Sequence, residues 1–192
     1  MRTRANGLPR MTAVVILAVA ASHCSGRPTE SGAREWPLAE QSEHDVTVTL
    51  RALVDAAHQT WVAATYTPTR AGFHLYSKDL PLDGLSGIGR PTLLEVAPGG
   101  AIVQHGALVS DETPVSLHVP VLKLSFPVYP EGPVTLRLPV TVTAIPERRA
   151  SFSVTYLACS ESTCLAPVTR KPIAVTLPER FVTVASPTRQ AS

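Results

Sequence analysis

Val46-Thr-Val-Thr-Leu50 alternates apolar and polar residues at every step, and Thr60-Trp-Val-Ala-Ala-Thr-Tyr66 resumes the alternation after a polar break. A period of two places successive side chains on opposite faces of an extended strand, so each segment reads as a half-buried β-strand. Working outward, the same pattern marks Phe73–Tyr76, Thr92–Val96, Ile102–Val109, Pro114–Val119, Val134–Val142, Ser151–Leu157 and Lys171–Leu177. Turn residues stand between them: Pro68, Gly72, Pro81, Pro98-Gly99-Gly100, Pro130-Glu-Gly-Pro133 and Pro146. No long window carries an apolar stripe at helical spacing. Short strands at this spacing predict an all-β fold, an immunoglobulin-like β-sandwich of about seven to nine strands. Trp61 and Phe152 are expected in its core.

The chain has 192 residues, enough for one domain of ordinary size with some tail. Lys and Arg number 17 against 15 Asp and Glu, and so small an excess argues against a nucleic-acid binder. Val, Leu, Ile and Thr are too plentiful for a disordered chain, despite 18 Pro. No apolar run is long enough for a multi-pass membrane body.

Residues 1–24 read as an export signal. Arg2, Arg4 and Arg10 precede the apolar run Met11–Ala21, which is too short for a stable membrane span. Ala18-Val19-Ala20 offers a site for ordinary cleavage. Ala21-Ser22-His23-Cys24 resembles a bacterial lipobox, although that motif favours Leu first and Gly or Ala before the Cys. Lipidation of Cys24 is the favoured expectation, and both readings deliver the protein to an oxidising compartment. Residues 25–44, rich in Ser, Gly, Pro, Glu and Arg, are expected to form a flexible linker. The domain proper is expected over 45–183, with a disordered tail at 184–192.

With Cys24 assigned to the signal, the domain holds two thiols, in Tyr156-Leu-Ala-Cys159-Ser-Glu-Ser-Thr-Cys164-Leu-Ala-Pro167. A pair this close in an exported protein is expected to oxidise. A structural staple would contribute little, because closing so short a loop removes only about 2 kcal/mol of chain entropy. Redox-active pairs are often short-range, since the resolving thiol must find its partner quickly. Spacing alone leaves the staple and the redox pair both open. The pair does not match the thioredoxin motif, which is Cys-x-x-Cys at a helix start.

Thr155-Tyr-Leu-Ala-Cys159, four residues, then Cys164-Leu-Ala-Pro167 resembles the active-site strand in the N-terminal domain of the thiol:disulfide interchange protein DsbD family. That family reads Tyr-Gln-x-Cys, four or five residues, then Cys, an aromatic or Leu, and Pro-Pro. Ala71-Gly72-Phe73-His74-Leu75-Tyr76 is similar to its Pro-Gly-Tyr-Tyr-Leu-Tyr, and Val128-Tyr129-Pro-Glu-Gly-Pro-Val134-Thr-Leu to its Tyr-x-Gly-x-Val-Thr-Leu. The resemblance spans Val46–Phe181. It implies an immunoglobulin-like periplasmic domain that takes electrons from a membrane-embedded reductant and passes them to thioredoxin-like proteins. It further implies Cys164 as the exchanging sulfur and Cys159 as the resolving one.

The departures are specific. Leu157 replaces the family's Gln, and Ala166 replaces its first Pro. The family's membrane and thioredoxin domains are not in this sequence, so the reductant is expected on a separate chain. The protective cap of the family matches His118–Phe126 here, without its usual acidic residue. Phe73, Tyr76, Leu122, Phe126 and Tyr156 are therefore the candidates for the cap or partner face.

Other chemistry has less support. His23, His44, His58, His74, His105 and His118 lack metal-ligand spacing and are expected in solvated or loop positions. A Cu(I) carrier using Cys159, Cys164 and one His is the rival from another class, opposed by the absence of Met or His in sequence near the pair. An interaction module with an inert disulfide is the third reading. No cofactor or resident metal is expected, and Gly84, Gly87 and Gly89 read as a turn.

Overall fold

The computed structural model describes residues 33–143 and 146–185. Its main sheet is antiparallel in the order β1 (Arg34–Glu43), β2 (Val46–Val54), β3 (Thr60–Pro68), β10 (Val134–Val142) and β6 (Ile102–Gln104), with β7 (Val109–Ser110) also against β10. A second sheet is ordered β13 (Val168–Thr176), β11 (Arg149–Tyr156) and β5 (Leu93–Val96). Two small ladders complete the strands: β4 (His74–Leu75) with β12 (Ala158–Cys159), and β8 (Val115–Val119) with β9 (Leu124–Val128). One short helix, α1 (Glu179–Ala185), follows β13. The protein is an all-β, immunoglobulin-like sandwich.

The alternation explains the layering. On β2, Val46, Val48, Leu50, Ala52 and Val54 are buried, while the residues between them face outward. On β10, Val134, Leu136, Leu138, Val140 and Val142 are buried in the same core. The facing sheet contributes Leu94, Phe152, Val154, Tyr156, Ile173 and Val175. Two tyrosines tie the layers together. Tyr66 on β3 donates its hydroxyl to the Leu93 carbonyl at 2.6 Å, and Tyr156 on β11 donates to the Glu43 carbonyl at 3.1 Å. Their rings meet edge to face at 5.7 Å between centroids. Burial pushes the Tyr66 hydroxyl well above its ordinary value and that of Tyr156 up to about 12, so both remain donors at neutral pH.

Part of the expected linker is strand. Residues 34–43 pair with the whole of β2, and the pairing slips by a residue between Pro37 and Ala39. Pro cannot donate to a ladder and is tolerated at such an edge bulge. Trp36 and Leu38 pack on the core, with the Trp36 ring 5.5 Å from that of Phe181 on α1. Glu43, its carboxyl held below the ordinary range by the hydrogen bond from Lys171, links this edge to β13.

Other expectations shift in detail. Ile102–Val109 divides into β6 and β7 around Gly106, where an added Cβ would lie 2.7 Å from Pro139. Trp61 is only partly buried, with its indole N–H on Asp55 at 3.0 Å, because its neighbours Thr60 and Val62 take the inward direction. Phe152 is fully buried as expected. Cys24, the export signal of 1–24 and residues 186–192 lie outside the described residues. Among the described residues, no helix is long and apolar enough to cross a membrane.

Candidate disulfide site

Strand β11 delivers the first cysteine. Its pairing with β13 shifts between Val154 and Tyr156, and Thr155 Oγ1 accepts the Arg170 N–H at 3.0 Å across the irregularity. Beyond Tyr156 the chain leaves that sheet, and Ala158 and Cys159 pair instead with Leu75 and His74. Leu157 and Cys159 thereby enter a second, smaller apolar cluster with Tyr76, Leu80, Phe126 and Val128.

A tight loop then returns the second cysteine. Ser160 N–H donates to the Thr163 carbonyl at 2.8 Å, while Ser160 Oγ accepts the N–H groups of Ser162 and Thr163 at 3.3 and 3.2 Å. Ser at the head of such a turn replaces backbone partners that the loop lacks. Leu165 N–H closes the hairpin on the Ala158 carbonyl at 3.0 Å. Cys159 and Cys164 are disulfide-bonded with Cα atoms 4.0 Å apart. The two sulfurs belong to unlike environments. Cys159 is 2% exposed, whereas Cys164 is on the surface.

The β8–β9 hairpin leans over the pair. Its turn is closed by Leu122 N–H on the Val119 carbonyl and Lys123 N–H on the Pro120 carbonyl, each at 3.1 Å. Val121 at the tip is 93% exposed, an unusual setting for a large apolar residue. Leu122, Val119 and Phe126 line a cleft of about 440 Å³ whose far wall is the disulfide loop. Ile88 borders the same cleft, presented by a loop where a Cβ on Gly84 would lie 1.9 Å from the Ile88 carbonyl. Arg90 ties that loop together through the carbonyls of Asp83, Gly87 and Gly89.

Strand β4 supplies the polar groups. Alternation sends Leu75 into the main core and leaves His74 and Tyr76 on the cleft side. Tyr76 Oη donates to Cys159 Sγ at 3.5 Å, and its ring stands edge-on to Phe126 at 5.6 Å. Burial pushes its hydroxyl above the ordinary value, so it remains a donor. The His74 ring stands edge-on to Tyr76 at 6.0 Å. Burial holds the imidazole below its ordinary value, against the opposing pull of Glu131.

Of the candidates named from sequence, Tyr76, Leu122 and Phe126 join Cys159 and Cys164 around the cleft. Phe73 and Tyr156 do not. Phe73 is buried in the main core beneath the Arg70 guanidinium, and the Tyr156 hydroxyl is engaged on Glu43. His74, expected in a solvated or loop position, is instead half-buried on a strand directly opposite Cys159. Its two-residue spacing from Tyr76 signals a shared face, but only the β4–β12 pairing sets it opposite Cys159. Among the described residues, no group of three or more His, Cys, Asp or Glu side chains is set to hold a metal ion.

No family model and no curated protein matches the chain. Among solved structures it is similar to the reduced N-terminal domain of DsbD from Neisseria meningitidis, at TM-score 0.37 and 12% identity over 59% of this chain and 70% of that one. It is also similar to the N-terminal periplasmic domain of ScsB from Proteus mirabilis, at TM-score 0.45 and 10% identity over 80% of this chain and 60% of that one.

The Tyr76 hydroxyl tests the local electrostatics. Its bond to Cys159 should strengthen as that sulfur gains charge during reduction. Tyr76→Phe should therefore slow reduction of the disulfide by dithiothreitol about fivefold, the equivalent of a net hydrogen bond of about 1 kcal/mol. An unchanged rate, followed by thiol labelling, would remove Tyr76 from the chemistry.

Proposed function

We propose that this chain is an exported thiol–disulfide exchange domain working through Cys159 and Cys164. The observation that carries the reading is the unequal burial of the two cysteines within one short loop. A staple needs no such asymmetry. An exchanging pair does, because one sulfur must meet the partner while the other waits beside it.

The exchange has two halves. An incoming thiolate attacks the exposed Sγ of Cys164, the bond to Cys159 breaks, and Cys159 leaves with the electron pair. The donor's second thiolate then attacks the donor sulfur of this mixed disulfide, Cys164 leaves with the electron pair, and the domain is freed as a dithiol with the donor oxidised to its own disulfide. Running the sequence in reverse against another protein's disulfide passes the two electrons on. The donor is a thiol reductant embedded in the membrane, and the clients are thioredoxin-like proteins in the periplasm. The resemblance of the cysteine segment to the DsbD family supports this choice of partners, and the cleft under the β8–β9 hairpin gives them an apolar approach to Cys164. Phe126 and Leu122 shield the pair between encounters.

Removing the resolving thiol leaves a captured partner no internal route of escape. Cys159→Ser should accumulate a covalent complex with a thioredoxin-like partner on a non-reducing gel, and Cys164→Ser should not. The opposite pattern would reverse the roles. No complex from either variant, with partners in the matching redox state, would leave the disulfide as a staple.

Lipidation at Cys24 would hold the domain at the membrane, near such a reductant. Cys24→Ala should then shift the protein from the membrane fraction to the soluble one. A wild type already soluble would refute the anchor without touching the exchange chemistry.

A further inference from the structure

The environment of Cys159 creates a chemical difficulty for the exchange reading, on which the following rests. To resolve a mixed disulfide at Cys164, Cys159 must attack as the thiolate. Its setting is apolar and almost closed to solvent, among Phe126, Leu157 and Tyr76. Such surroundings favour the neutral thiol and keep bulk water from taking the proton. A nearby proton acceptor would remove the obstacle.

His74 is placed for that task. It is the direct cross-strand partner of Cys159 in the antiparallel β4–β12 ladder. Directly opposed residues point to the same face with Cβ atoms about 5 Å apart. His74, Cys159 and Cys164 are all among the residues that line the same cleft. His74 Nε2 is buried and has no hydrogen-bond partner while the disulfide is formed. A buried polar atom without a partner is costly and calls for an explanation.

We propose that His74 Nε2 takes the thiol proton of Cys159 in the resolving step. The reduced domain first attacks a partner's disulfide through the Cys164 thiolate, forming a mixed disulfide and releasing one partner thiolate. The Cys159 thiol then gives its proton to Nε2, and its sulfur attacks Cys164 Sγ. The Cys159–Cys164 bond forms, the bond from Cys164 to the partner breaks, and the partner's second sulfur leaves with the electron pair. The partner thiolates take protons from solvent, and the imidazolium returns its proton there. Two electrons pass from this domain to the partner.

The imidazole must be neutral to act. Its burial lowers the pH at which it protonates, which keeps the base available at neutral pH and withdraws it on acidification below the ordinary histidine range. The other ionisable groups around it are Tyr76 just beyond its own strand, His118 on β8, Glu161 in the cysteine loop, and Glu131 before β10. Of these, Glu131 acts against the lowering by favouring the charged imidazole.

Equimolar 5,5′-dithiobis(2-nitrobenzoate), mixed with the reduced protein, separates the two steps. One thionitrobenzoate is released when Cys164 attacks and a second when Cys159 closes the ring. The ratio of second to first rate should fall at least about tenfold at pH 7 in both His74→Phe and His74→Gln. The deficit should shrink at alkaline pH, where the Cys159 thiol ionises unaided, and added imidazole should restore part of the second rate. Unchanged ratios in the variants would overturn the proposal, as would a deficit that persists unaltered to high pH, the mark of a merely structural role. A wild type that releases only the first equivalent would instead refute the exchange reading itself.

Discussion

Tyr156 and Tyr66 exchange hydroxyl bonds across the sandwich, each to a backbone carbonyl of the other layer. These bonds fix where β11 ends relative to the main sheet, and the position of Cys159 follows from that. Phe152, Val154 and Tyr156 hold the strand in the core, so the three residues beyond it have little freedom. The pairing shift at Val154 and Tyr156 then redirects the chain onto β4. A cysteine on a free loop would share the loop's mobility. Here the first sulfur is positioned by the rigid layer and only the second belongs to a surface turn.

That division gives the site its chemistry. The buried cysteine meets a phenol donor and apolar walls and stands opposite His74 across the β4–β12 ladder, surroundings that determine how readily its sulfur carries charge. Cys164 lies on the surface and lines a cleft bounded by a hairpin with an uncovered Val121. Both settings follow from a strand that ends inside one apolar cluster and a loop that leads out of it.

The strands with clean alternation were legible in sequence: β2, β10 and β11 bury the residues that period two assigns inward, while β3 takes the parity that turns Trp61 outward. Strand β1 was hidden because Arg34–Glu43 carries the charges and the Pro expected of an exposed edge, which also resemble a linker. Strand β9 was hidden by Pro127, and β12 by its two-residue length. The cysteines and Tyr76 could be placed by motif. Tyr156 was misplaced by its nearness to Cys159 in sequence, although its inward parity sends the ring toward Tyr66. His74 required the β4–β12 pairing, a contact between residues far apart in the chain that spacing alone does not disclose.

The most direct test of the central claim is the reduction potential of the Cys159–Cys164 pair, titrated against glutathione and dithiothreitol buffers. A pair with one sulfur exposed and built for exchange should equilibrate above about −300 mV, in the range of catalytic and labile disulfides. A potential well below about −300 mV would class it with structural disulfides that the thiol pool does not reduce, and would contradict the account.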